Sequence, residues 1–344
     1  MFKASLRKGA VDRGIDFIYN VARDSETFAE CGSNLLLFFY FTASTSADPD
    51  LKKKARRMAG ECFRRWRRTH SSIPKDADAS LVTDFVLGFC AAKRLGVSSD
   101  GLKKRLRKIA SGHEAEDYLW FDPAREAPPG DVPEPCECGT VNERGRQLCS
   151  NRKCKARLSF MSRYKVWSMA LAGTYCGERY GVRLGAPYRD TIKWLPQMRP
   201  YRGRESDANA DFYYMVYAVT HVVYTLNDYG LFTLSPEWLP QEFKFLKDSL
   251  REAISLDDPD MAGEILDSLL AFGIKDHHPL FRAGVNYLLS KQNADGSWGD
   301  VTMDIYSRYH ATWAAIDGLR TYAWREKRIS FRRLKPLLER LNSG

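Results

Sequence analysis

Residues 306–317 read YSRYHATWAAID and residues 217–228 read YAVTHVVYTLND; each places a tyrosine four residues before a histidine and an aspartate seven residues after it. Seven residues is nearly two turns of α-helix, so each set forms a stripe on one helix face. Tyr217, His221, Tyr224 and Asp228 make the first stripe, and Tyr306, His310, Trp313 and Asp317 the second. The two histidines lie 89 residues apart. A further helical pattern at 260–273 falls midway between them, so a helix hairpin recurs about every 45 residues, which is the signature of a repeat architecture.

Outward from these stripes, almost every segment carries apolar residues at helical period, and alternating strand-like runs are scarce. The pattern predicts an all-α chain with helices near 11–22, 26–44, 50–69, 79–95, 99–111, 160–181, 187–195, 209–230, 236–255, 260–273, 278–291 and 303–325. Ser235-Pro236 and Asp258-Pro259 mark helix starts, and Gly230 and Gly273 mark ends. Helices rich in aromatic and small residues alternate with more charged ones. Some six hairpins of this kind predict an α/α toroid, inner helices around a central cavity and outer helices around them. The Pro-rich stretch 121–157 interrupts the pattern and reads as an insertion, between N-terminal hairpins at 1–120 and C-terminal hairpins at 158–344.

That insertion holds Cys136, Cys138, Cys149 and Cys154 in CECGTVNERGRQLCSNRKC, spaced C-x-C-x10-C-x4-C. Two close pairs joined by a short loop present four thiolates tetrahedrally, as a closed structural zinc site requires, and Gly139 suits the tight turn of a metal knuckle. The insertion is therefore expected to be zinc-ribbon-like, with free thiols or a disulfide as the alternative. Four clustered cysteines among the eight of a 344-residue chain, no signal-type start and no apolar run of membrane-spanning length suggest a soluble, cytoplasmic protein. The formal charge is +10, concentrated in LKKKARRMAGECFRRWRR (51–68) and GLKKRLRKIA (101–110). Both runs read first as solvated faces of amphipathic helices; nucleic acid or an anionic membrane is the less favoured partner they would suit.

If the two stripes face one cavity, His221 and His310 sit at similar depth, and the midway helix contributes Ile265 at that level, with Glu264, the best third ligand, and Asp267 adjacent. Two histidines and a carboxylate are a metal-ligand set, for iron with open positions or for zinc, with Asp228, Asp317, Tyr217 and Tyr306 as acid/base or supporting groups. The plainer alternative is packing: tyrosine, tryptophan and a hydrogen-bonded histidine are common core residues.

RAGVNYLLSKQNADGSW (282–298) resembles the QW repeat of squalene and oxidosqualene cyclases, with Arg282, Ala283, Tyr287, Leu288, Gln292, Gly296 and Trp298 at that family's intervals. Tyr309-His310 with Trp313 is similar to the Tyr-His-aromatic pattern of protein prenyltransferase β subunits, where the histidine is a zinc ligand. The resemblance implies an α/α toroid, a helix-tying role for Gln292 and Trp298, and a ligand role for His310. No Asp-x-Asp-Asp acid motif of type II cyclases is present: the nearest text, LDDPD at 256–260, reads as a helix start. Nor does an Asp-x-Cys pair precede His310, since residues 230–300 lack cysteine. The expectation is a metal-dependent enzyme acting on a largely apolar, isoprenoid- or lipid-like molecule, with oxidation slightly ahead of group transfer. The competing expectation is a non-catalytic toroid whose basic faces and zinc module engage an acidic partner.

Overall fold

Aspartate opens helix after helix. Asp24, Asp48, Asp78, Asp258 and Asp304 each accept a hydrogen bond from a first-turn backbone N–H, satisfying donors the helix cannot use and placing negative charge at its positive end. The structure is a computed structural model describing residues 2–98, 100–204 and 209–342. Its helices are α1 (Phe2–Arg23), α2 (Ser25–Thr45), α3 (Pro49–Thr69), α4 (Ala79–Lys93), α5 (Asp100–Ala110), α6 (Ala115–Leu119), α7 (Arg163–Tyr180), α8 (Tyr188–Ile192), α9 (Leu195–Met198), α10 (Phe212–Leu226), α11 (Pro240–Ser255), α12 (Pro259–Ala271), α13 (Pro279–Ser290), α14 (Ile305–Leu319) and α15 (Lys335–Asn342). Among the described residues β structure is limited to isolated bridges, so the all-α expectation holds. No described helix is long and apolar enough to cross a membrane.

The helix foreseen at 11–22 begins at Phe2, that at 187–195 is split into α8 and α9, and three further boundaries differ from expectation for local reasons. The helix foreseen at 209–230 stops at Leu226, because Asp228, Tyr229 and Gly230 follow with φ of 60°, 48° and 86°, which no right-handed helix accommodates. The run at 236–255 is broken at Leu239-Pro240 into a single 3-10 turn (Pro236–Trp238) and α11. The helix foreseen to 325 ends at Leu319, and the chain continues extended.

The packing order positions the site. α2 packs on α4, α4 on α7, α7 on α10, α10 on α12, α12 on α14, and α14 on α2, so these six helices contact one another in a cycle. α1 joins the two ends of the chain by packing on both α14 and α2, while α3 packs on α2, and α11 and α13 on α12. The tightest approach is between α12 and α14: Gly263 abuts the backbone of Ala314 and Ala315, and Gly318 lies against the Gly263 carbonyl. The α13 region is tied across to α1, since the Gln292 side-chain amide donates to the carbonyls of Ala10 (2.8 Å) and Gly296 (2.9 Å). The fully buried Trp298 donates to Leu288 O at 2.7 Å.

Past Leu319 the chain runs across the C-terminal ends of the inner helices as a strap. Ala47 N donates to Thr321 O, Ala323 N to Thr45 O, Arg328 N to Thr233 O and Ser330 N to Leu226 O, at 2.7–3.0 Å. Cations gather at this end, where helix dipoles are negative. Arg94 and Arg179 converge on the Asp228 carboxylate, which also accepts from Tyr175. A second buried pair, outside the cycle, joins Arg199 and Glu242 through two parallel bonds of 2.8 and 2.7 Å.

Candidate metal centre and central cavity

All six helices of the cycle contribute to one central cavity of 360 Å³, with Phe41 from α2, Leu87 from α4, Cys176 from α7, Tyr224 from α10, Glu264 from α12 and Trp313 from α14 among its walls. Tyr322 of the strap and Arg320 line it as well. At the N-terminal ends of α10, α12 and α14 lies a second space of 660 Å³, a vestibule walled by Tyr213, Tyr217, Asp258 and Asp260. Both spaces share Met169, His221, Tyr306 and His310, which form the neck between them. Around the vestibule, Met169, Tyr213, Val301, Met303, Ile305 and Tyr306 are exposed apolar residues.

At the neck, Asp260 and Glu264 of α12 meet His310 of α14. One ligand atom from each lies within 4.8 Å of the others. Nδ1 of His310 is 3.0 Å from both carboxylate oxygens of Asp260, and Nε2 is 3.9 Å from Glu264 Oε1. Asp260 and Glu264 are four residues apart on one helix, so both carboxylates point the same way. Each is held: Tyr217 donates to Asp260, and Thr220 to Glu264. Tyr213 donates onward to the Tyr217 hydroxyl at 3.0 Å, and Tyr224 to the Glu264 carbonyl at 3.0 Å. Burial alone would lower the pKa of His310, but the carboxylates of Asp260 and Glu264 outweigh it and raise the value to about 9. Burial pushes Glu264 up to about 8, against the opposing His310 charge.

Two oxygens and one ring nitrogen, spanned this closely and set on rigid helices, suit a divalent ion with metal–ligand distances of about 2.1 Å and leave positions open for a further ligand. The sequence pairing of Glu264 with His310 is thus brought together in space. Asp260 completes the trio, although LDDPD reads in sequence only as a helix start; its signal was the four-residue step to Glu264. His221 stands outside the trio. Its Nδ1 is hydrogen-bonded to Tyr217 O at 2.8 Å, and burial lowers its pKa to about 4, leaving a neutral ring on the shared wall.

The remaining stripe residues divide. Tyr306 stacks on His310 with ring centroids 5.8 Å apart. Asp317 lines the inner end of the cavity, accepting from Trp313 Nε1 (2.7 Å) and Arg320 Nε (2.5 Å). Beside it Asp267, which accepts from Tyr322, is pushed by burial up to about 7, with the Asp317 charge adding to the rise. Asp228 lies in neither space. α10 ends before it, so it leaves the helical stripe and is clamped by Arg94 and Arg179. An acid/base role in the cavity does not suit that placement.

The four cysteines of the insertion form a second cluster, with Sγ–Sγ distances of 3.6 Å (Cys136–Cys154) and 3.7 Å (Cys138–Cys149). Four thiolates set tetrahedrally at about 2.3 Å from an ion would be about 3.8 Å apart, so the cluster has the span to hold one. Gly139, at φ 80°, makes the first turn, and a short ladder follows in which Cys149 N donates to Ala156 O and Leu158 N to Gln147 O. Lys165 on α7 pairs with Glu134, and Trp194 Nε1 donates to Pro123 O, which anchors the insertion to the helices. Comparison of the chain with protein-family models, with curated proteins and with solved structures gives no match.

Proposed function

We propose that the cycle of six helices is an α/α toroid and that the protein is a metal-dependent enzyme acting on a largely apolar, isoprenoid- or lipid-like molecule in its central cavity. The observation that carries this reading is the Asp260–Glu264–His310 trio at the neck, where the aromatic cavity meets the vestibule. An apolar chain would lie against Phe41, Leu87, Tyr224 and Trp313, with its polar end at the trio. The cysteine cluster is read as a closed, structural zinc site that staples the insertion and takes no part in chemistry.

Transfer of a group is favoured over oxidation. The set expected for iron, two histidines and a carboxylate, is not the one assembled; one histidine and two carboxylates are. The likeness of Tyr309-His310-Trp313 to the zinc-ligand helix of prenyltransferase β subunits points the same way, and here two carboxylates, Asp260 and Glu264, lie beside the histidine. Bound there, a divalent ion would act as a Lewis acid. Tyr217 and Thr220 orient the two carboxylates, His221 offers a neutral ring nitrogen to the neck, and Asp267, whose pKa burial raises to about 7, can give or take a proton at the inner end.

Metal analysis of anaerobically purified protein tests the reading without a known substrate. Two ions per chain are expected, one lost in the Glu264→Gln/His310→Ala variant and the other in Cys149→Ser/Cys154→Ser. A single ion that departs only with the cysteines would overturn the enzyme reading.

A further inference from the structure

Helix α3 buries Leu51, Ala55, Met58, Ala59, Cys62 and Trp66 on one face. At 100° per residue, Lys53, Arg56, Arg64 and Arg68 fall within an arc of about 120° on the opposite, outward face. All four are exposed. Among the described residues none of them forms an ion pair, and the only carboxylate between Leu51 and Thr69, Glu61, is taken up by Tyr19 and Arg57.

Helix stability does not account for this face. Lys52–Arg56, Lys53–Arg57 and Arg64–Arg68 are like-charge pairs at i, i+4, each unfavourable by about 0.2–0.5 kcal/mol. Lys52 and Lys53 sit in the first turns, where the helix dipole disfavours cations; only Arg67 and Arg68, in the last turn, gain from it. Packing does not require the charges either, because the apolar face is already covered by α2.

We propose that the outward face of α3 is a docking surface for the phosphate backbone of a nucleic acid. From Lys53 to Arg68 the face runs about 22 Å at 1.5 Å per residue, and a duplex lying alongside it carries six or seven phosphates per strand over that length, one per about 3.4 Å of its axis. Three of the four cations are arginines, whose planar forks match phosphate oxygens two at a time. A lipid surface fits less well: the apolar face of the helix is buried, so it has no free apolar face to insert.

The test is fluorescence anisotropy of labelled 20-residue single- and double-stranded oligonucleotides with the full chain, from 50 to 200 mM salt. Four phosphate contacts on a duplex give a slope of about −3.6 in log K against log salt, an affinity loss of about 150-fold over that range. Arg56→Gln/Arg64→Gln/Arg68→Gln should cut this to about 3.5-fold and leave the melting temperature no lower, since glutamine keeps the helix propensity and the repulsion is gone. Arg64→Gln alone should reduce the slope by about 0.9. Lys104→Gln/Arg105→Gln/Lys108→Gln, which removes as much charge from α5, should keep the steep dependence. The proposal is overturned if the α3 variants retain the full slope, if the α5 variant loses as much, or if phosphatidylserine vesicles bind where oligonucleotides do not.

Discussion

Alanine at position 263 tests the fold and the neck in one substitution. A Cβ there would lie 2.5 Å from the carbonyl carbon and 2.6 Å from the oxygen of Ala314, and 2.7 Å from the nitrogen of Ala315, where ordinary contact begins at 3.4 Å. Every obstructing atom is backbone, so no side chain can swing aside, and α12 and α14 must part locally by nearly 1 Å. Alanine gains about 1 kcal/mol of helix propensity over glycine. Overpacking of this kind costs about 1–3 kcal/mol or more, and a backbone-on-backbone clash belongs at the high end, which leaves a net loss of about 2 kcal/mol. With an unfolding entropy of about 2.1 cal/mol/K per residue over 344 residues, that corresponds to a fall in melting temperature of about 3 °C. The site should respond further, because Glu264 is the next residue on α12 and His310 lies one turn before Ala314 on α14. Spreading the helices lengthens the gap between those two groups and should weaken divalent-ion binding by at least tenfold. Calorimetric melting and metal titration of Gly263→Ala measure both effects. A variant that melts at or above the parent temperature and binds the ion equally well would refute the close α12–α14 approach as the support of the trio.

Arg199→Ala strands the fully buried Glu242 carboxylate without its bidentate partner and should cost about 3–5 kcal/mol, or about 4–7 °C in melting temperature; an unchanged melt would mean the pair is not formed. Asp267 keeps its proton up to about pH 7 in the folded chain but only to about pH 3.9 when unfolded, so stability should fall as pH rises from about 4 to about 7 and level off above. Asp267→Asn should remove that part of the slope, as urea unfolding at pH 5 and pH 8 would show; a variant with the parent's full slope would reject the assignment. Cys149→Ser should release the insertion's ion and open residues 121–157 to limited proteolysis while the helices stay resistant, an outcome contradicted by an unaltered digestion pattern.

Much of the fold was legible because its signals are local. Aspartate before a helical period at 24, 48, 78, 258 and 304 fixes starts, and proline fixes 259 and 279. The recurrence of the hairpin points to Ile265 opposite the histidines, and the neighbouring carboxylate of Glu264 is the one that meets His310. What misled was also local. Gly230 signals a helix end in sequence, but Asp228 and Tyr229 before it are left-handed as well, so the helix ends at Leu226 and its stripe stops short of Asp228. Periodicity has no term for such a turn, which the Arg94 and Arg179 contacts help to hold. Asp260 was missed because a residue in a first turn looks like a cap. Here Asp258 caps the helix, and the carboxylate two residues on is left to face His310.

The strap across the C-terminal ends gives the cavity a history as well as a shape. Residues 320–330 cover the end of the cavity that Arg320 and Tyr322 line, so a guest of the enzyme we propose would reach it from the vestibule by way of the neck. On that proposal, a long apolar guest would be seated before a second molecule settles in the vestibule, and the product would leave after it. For such an enzyme, order of arrival would be set by architecture, and emptying the chamber, rather than making or breaking a bond, would pace repeated use.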